Sequence, residues 1–355
     1  MHYTKLGNSQ LNIRRICLGT MTWGSQNTQA EGFEQMSYAL ENGVNFWDTA
    51  ELYAVPPSPA TYGASEKIIG NWFKDNGRRE DVVLATKFSA IPWARGEEKP
   101  TTNRQNLITA VDESLKRLQT DYIDLYQLHW PTNRSHYHFS NWWNFKPAMG
   151  ADAKKAIIDN KTEILSTLND IMQQGKIRNI GLSDDSSWGI QQFLNIAEKN
   201  NFPRISSIQN EYNLMRRRDE HDVAETCALE NVAYLPWSPL AMGVLSGKYS
   251  QGLTPDEARL SDASMKDDPT RYAYRLDLNT HNAANAYVAV AKKHGLDPCQ
   301  MAIAFTLHQP WVTSTIIGAT NMDQLKNNIN AVDLKLSEEC LKDIHTIYQQ
   351  YPVPF

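Results

Sequence analysis

The sequence predicts a (β/α)8 barrel with an N-terminal β-hairpin and long loops at its C-terminal rim. Eight short apolar runs follow the hairpin, and helical patterns separate them, which is the signature of a parallel sheet. Three of these runs end in an ionisable residue: Asp48 after 44–47, Lys87 after 82–86 and His129 after 123–128. A carboxylate at the mouth of an apolar strand is costly to bury unless something pairs with it. Parallel neighbours would bring all three onto one rim, where barrels carry their chemistry. A doubly wound sheet competes, but no Gly-x-Gly-x-x-Gly follows the first run.

In chain order, Tyr3-Thr4-Lys5-Leu6 and Leu11-Asn12-Ile13-Arg14 flank the turn Gly7-Asn8-Ser9 and predict the hairpin. Residues 15–20 are the first barrel strand. Helix 29–42 places Phe33, Met36 and Leu40 on one face and stops at Gly43. Strand 44–47, helix 64–73 and strand 82–86 follow. Helix 103–118 repeats Leu107, Val111, Leu115 and Leu118 at helical spacing before strand 123–128. Helix 162–174 precedes strand 177–182, helix 187–200 precedes strand 205–208, and helix 219–229 precedes strand 232–235. Strand 314–317, helix 321–331 and helix 338–349 complete the chain. A barrel needs ~250 residues. The surplus falls at 54–62, 131–160 and 241–278, as loops over the same rim. Residues 1–355 are expected to form a single domain.

The 355 residues are 41% hydrophobic and 21% charged, ordinary globular proportions that allow a large core. A formal charge of -5 gives no overall attraction to nucleic acid or to an anionic membrane. The basic run Arg216-Arg217-Arg218 is expected to be a solvated helix start. No run approaches the ~20 apolar residues of a membrane span, and no apolar h-region follows Met1. Cys17, Cys227, Cys299 and Cys340 are too widely spaced to suggest disulfides or zinc. A cytoplasmic protein without a metal is the expectation. Its oligomeric state is not legible.

Tyr53 follows Asp48 by five residues and would sit above Lys87 and His129. A tyrosine titrates near ~10 and is a reluctant acid at neutral pH. An ammonium beside it stabilises phenolate and lowers that value. Lys87, held by Asp48, is placed to do so, and His129 to hydrogen-bond a carbonyl or its developing oxyanion. The set suits proton donation to a carbonyl oxygen while a hydride reaches carbon. Each residue has a duller account as cap, surface lysine or core aromatic, but three ionisable residues at successive strand ends argue against all of them at once.

The motifs Gly19-Thr20-Met21, Asp48-Thr49-Ala50-Glu51-Leu52-Tyr53, Ala85-Thr86-Lys87 and Asp124-Leu125-Tyr126-Gln127-Leu128-His129 resemble those of the aldo-keto reductases across essentially the whole chain. Within them the chain looks nearest to bacterial Tas-type members, relatives of potassium-channel β subunits. The resemblance implies a catalytic set of Asp48, Tyr53, Lys87 and His129, with tyrosine as general acid and NADP(H) as cofactor. It further implies cofactor contacts at Gly19, Thr20, Ser183, Asp184 and Gln209. Trp237 would stack on the nicotinamide, and Ser238, Pro239, Leu240, Gly243 and Lys248 would surround the pyrophosphate. Arg259 would belong to a belt over the cofactor. Gly318, Thr320, Gln324, Asn327 and Asn328 would meet the adenosine end. Asp184 stands where the pattern has Asn or Arg, and Asn321 where it has Lys or Arg. Met21, Trp47, Trp93 and Trp130 are expected to wall a pocket for a small carbonyl substrate, with help from Tyr137, Phe139, Trp142, Trp143 and Phe145. The same loop carries His136 and His138, with no third metal ligand in sight. A cofactor-binding regulatory module with slow turnover, like the channel β subunits, is the alternative. A Schiff-base aldolase using Lys87 would leave the cofactor motifs unexplained.

Overall fold

A computed structural model describes residues 3–99, 101–131, 148–249, 260, 275 and 277–354. The hairpin of β1 (Tyr3–Lys5) and β2 (Asn12–Arg14) is antiparallel. Eight parallel strands follow: β3 (Ile16–Gly19), β4 (Phe46–Asp48), β5 (Val83–Phe88), β6 (Leu125–Leu128), β7 (Ile180–Ser183), β8 (Ile205–Gln209), β9 (Ala233–Tyr234) and β10 (Thr315–Ile317). Each pairs with the next in sequence as far as β9, and β10 pairs with β3. Backbone bonds close the remaining seam. Thr313 N–H donates to the Tyr234 carbonyl at 2.9 Å, and Ile316 N–H to that of Pro236 at 2.9 Å. The expected (β/α)8 barrel is therefore what forms.

The hairpin closes one end of it. Leu6 and Ile13, both fully buried, pack with Cys17, Phe46, Ala85, Leu125 and Ala233. With that end filled by apolar side chains, the strand C-termini are left as the open rim.

Helical elements match the expected order, with three differences. The helix expected at 162–174 spans Ala151–Gln173, so the last third of the supposed 131–160 loop is helix. Ile157, Ile164, Leu165, Leu168 and Ile171 form its buried face. Its first turns are crowded with charge, including a Lys155–Asp159 pair at 2.6 Å, and that crowding resembles a loop. Two long helices, Leu278–Lys293 and Pro298–His308, were not foreseen, nor was the single turn Pro92–Arg95. Much of the inner face of the first long helix is alanine, and Met301 through Leu307 of the second are all buried, so neither shows a strong polar–apolar period. Finally, the basic run is only partly solvated: Arg218 is exposed and begins a short helix, whereas Arg216 and Arg217 are half-buried. The Arg217 guanidinium lies 4.1 Å from the Tyr348 ring centroid and bonds Glu220, while Arg216 pairs with Glu211 at 3.3 Å. No helix among the described residues is long and apolar enough to cross a membrane.

Helix Ala64–Asn76 packs closely on helix Arg104–Leu118 through Gly70. A Cβ there would lie 2.2 Å from the Arg117 carbonyl oxygen and 2.8 Å from the Leu118 carbonyl carbon. Helix propensity alone would favour Gly70→Ala by ~1 kcal/mol. The backbone contact reverses the sign, and Gly70→Ala should cost roughly 1–3 kcal/mol in chemical unfolding. A stabilised variant would mean that the two helices are not this close.

Candidate active site

Strand register assembles the site. Gly19 pairs with Asp48, Lys87 with Gln127, Gln127 with Gly181, and Ser183 with Gln209. Gly181 is needed there, because a Cβ would lie 2.4 Å from Ser207 Oγ and 2.9 Å from Gln127 Cγ. Its hydrogen leaves room for the Gln127 side chain.

Asp48 and Lys87 form a buried ion pair at 2.5 Å, with Lys87 fully inaccessible. Asp48 Oδ1 also accepts from Gln127 Nε2 at 3.0 Å and Gln209 Nε2 at 2.8 Å. Lys87 Nζ has two further partners, the Thr49 carbonyl at 2.8 Å and Tyr53 Oη at 3.3 Å. An ammonium has three donors, and here all three are used. Tyr53 Oη accepts the third, so its own hydrogen must point elsewhere.

Burial is the largest influence on Tyr53 and raises its pKa above the ordinary phenol value, although Lys87 pulls it down. Lys87 acts on Tyr53 in the expected direction, but desolvation, which is not visible in the sequence, is larger and of opposite sign. Tyr53 therefore keeps its proton at neutral pH. Burial also works against the Lys87 ammonium, but Asp48 and Tyr53 more than offset it and hold its pKa above the usual lysine value.

His129 follows β6 directly, and its backbone N–H donates to the Phe88 carbonyl at 2.9 Å. Its Nδ1 lies 2.7 Å from Ser89 Oγ. The His129 ring stands edge-on to Tyr53, with centroids 5.8 Å apart.

Asp48, Tyr53 and His129 line one large cleft at the rim, and Lys87 lies behind them. Gly19, Thr20, Ser183, Asp184, Gln209, Trp237, Ser238, Pro239, Leu240, Gly243, Lys248, Gly318, Thr320, Gln324, Asn327 and Asn328 line the same cleft, as do Met21 and Trp130. Arg259, His136, His138 and the aromatic run 137–145 lie outside the described residues. Two expected wall residues are elsewhere. Trp47 is fully buried among Trp72 and Phe73, its indole N–H donating to the Val44 carbonyl at 3.0 Å. Side chains alternate along a strand, so a residue adjacent to inward-facing Asp48 must face the helices. Trp93 is 45% exposed and lies edge-on to Tyr62, away from the described cleft lining.

The two departures from pattern have structural uses. Asp184 has left-handed backbone, φ 49°, which Asp tolerates better than most residues, and its Oδ1 accepts from Trp237 Nε1 at 3.4 Å. Asn321 caps helix Met322–Asn330 by accepting from Gln324 N–H at 2.9 Å.

Sequence reasoning assigned no role to Gln127, Ser89 or Glu51. A polar residue inside the apolar run of β6 was a usable signal for Gln127. Nothing local distinguishes Ser89.

The aldo/keto reductase family model matches residues 15–349. The chain belongs to the aldo/keto reductase family. It is 41% identical to Protein tas of Escherichia coli, over all of this chain and 99% of that one. It is 29% identical to a probable voltage-gated potassium channel subunit beta of rice, over 99% of this chain and 98% of the other. Versiconal hemiacetal acetate reductase of Aspergillus parasiticus is 28% identical, over 98% of this chain and 97% of its own length.

In this aldo/keto reductase the rim beside Gln209 is tied by a buried acid. Asn210 Nδ2 donates to Asp219 Oδ2 at 2.7 Å and to the Asp185 carbonyl at 3.0 Å, and Tyr234 Oη donates to Asp219 at 2.8 Å. Burial raises the Asp219 pKa from 3.8 to about 6, and the hydrogen bonds only partly oppose it. The folded state then holds this proton more tightly than the unfolded state. Stability should therefore fall as pH rises from about 4 through about 6, by roughly 3 kcal/mol in all, and level off above. Asp219→Asn should abolish that fall, measured as unfolding free energy against pH. Parallel curves for the two proteins would show that Asp219 is not coupled in this way.

Proposed function

We propose that this chain reduces aldehydes or ketones with NADPH, using Tyr53 as the general acid. The observation that carries this is the hydrogen-bonded line from Asp48 through Lys87 to Tyr53, with His129 beside it on one cleft. Beside Gly318 the cleft is open, with nothing within 4 Å of the point where a side chain there would begin, so the adenosine end of a cofactor could approach the backbone. Gln209 gives its amide hydrogens to Asp48 and Gln127, which leaves Oε1 for a carboxamide N–H. Trp237 offers a ring face, and Lys248 a cation for phosphate.

When bound, a reduced nicotinamide supplies the hydride that the carbonyl carbon takes up. The carbonyl oxygen gains the electron pair of the broken π bond and takes its proton from Tyr53 Oη. Lys87 steadies the phenolate that results, and Asp48 keeps Lys87 charged and in place. His129 orients the carbonyl oxygen. Solvent then reprotonates Tyr53. Met21, Leu52, Val55 and Trp130 give the described substrate end an apolar lining suited to a neutral, hydrophobic carbonyl compound. Four widely spaced cysteines, all free, accord with a cytoplasmic location.

The test is NADPH oxidation with a panel of reactive aldehydes, with NADH in parallel. Turnover should be faster with NADPH, and Tyr53→Phe should lose roughly 10²–10⁴-fold in kcat while still binding NADPH in a fluorescence titration. A fully active Tyr53→Phe would remove the general-acid role, and equal turnover with NADH would remove the cofactor preference. NADPH binding without turnover by the wild type would favour the regulatory module.

A further inference from the structure

We propose that Ser89 sets the tautomer of His129, so that the imidazole meets the cleft as a neutral hydrogen-bond donor through Nε2–H. Ser89 is fully buried. Its N–H donates to Glu51 Oε1 at 2.6 Å, and its carbonyl accepts from Ile91 N–H at 2.8 Å. Its hydroxyl meets His129 Nδ1 at 2.7 Å and has no other hydrogen-bond partner among the described residues. If Nδ1 carried hydrogen, Ser89 Oγ would have to accept it, and the serine's own hydrogen would be buried with nothing to receive it. A buried polar hydrogen without an acceptor is strongly disfavoured. An imidazolium fails in the same way, because it too carries hydrogen at Nδ1. The arrangement that satisfies both groups has Ser89 O–H donating to Nδ1, which puts the ring hydrogen on Nε2.

The serine is held in place for this. Glu51 is fully buried and accepts from Tyr62 Oη at 2.5 Å, from the Arg95 guanidinium and from Ser89 N–H. Glu51 also lies in the segment joining Asp48 to Tyr53, so the connection that positions the phenol positions the imidazole's partner. Ser89 touches His129 rather than substrate and is a positioning residue. Its catalytic consequence rests on the reductase reading: His129 directs a hydrogen bond at the carbonyl oxygen, and the transferred proton is left to Tyr53.

The tautomer is read directly by long-range ¹H–¹⁵N correlation spectra of ¹⁵N-histidine-labelled protein, with His129 assigned by its loss in His129→Gln. The wild type should show the Nε2–H pattern. Ser89→Ala should show mixed tautomers and lose about tenfold in kcat/KM, and Ser89→Thr, which keeps the hydroxyl, should restore both. An Nδ1–H or doubly protonated pattern in the wild type, or an unchanged pattern in folded Ser89→Ala, overturns the proposal. An Nε2–H pattern that Ser89→Ala disturbs supports it even if the wild type turns over no carbonyl, a result that would count against the reductase reading alone.

Discussion

Everything at the rim depends on the buried pair of Asp48 and Lys87. Taking two charges out of water costs several kcal/mol per ion, and their mutual attraction repays this only when the remaining hydrogen-bonding capacity is also satisfied. Here the surroundings supply it. Gln127 and Gln209 donate to the second carboxylate oxygen, and the Thr49 carbonyl takes one of the lysine hydrogens. What remains of the ammonium's donor capacity is directed at Tyr53. A hydrophobic replacement would stabilise a barrel as well or better. On the reading proposed above, the pair is explained by what it does to the phenol, whose proton it turns away from Lys87 and whose conjugate base it would support.

The fold makes that pair possible through two unrelated features. The hairpin fills the opposite end of the barrel with Leu6 and Ile13, so the polar layer occupies the rim alone. Parallel register then sets Lys87 beside Gln127 and Gln127 beside Gly181, where the missing side chain gives the amide its space. One polar layer over an apolar plug has a direction, and the cleft lies on the polar side. The loops that follow the strands then bring Tyr53, His129 and Trp237 over that layer.

Much of this is legible in the sequence because it conflicts with local expectation. An acid, a lysine and a histidine ending apolar runs cannot be explained one at a time, so Asp48, Lys87 and His129 announce themselves. Ser89 and Gln127 produce no comparable conflict. Their importance comes from neighbours distant in sequence, reached only through strand register. Trp47 is the instructive miss, since period-two alternation from Asp48 already sends it outward to Trp72 and Phe73. The two helices between β9 and β10 were hidden for the opposite reason, because an alanine-lined face and a wholly buried segment carry little amphipathic period.

The central claim is that the Asp48–Lys87 pair serves the chemistry and is not required by the fold. The double variant Asp48→Asn/Lys87→Gln tests it most directly, because the two amides can keep much of the hydrogen bonding without either charge. Unfolding free energy and NADPH-dependent turnover should be measured on the same sample. Stability should stay within about 2 kcal/mol of the wild type, or exceed it, while turnover falls by a factor of about 100 or more. A double variant that fails to fold, or one that folds and turns over like the wild type, would contradict the account.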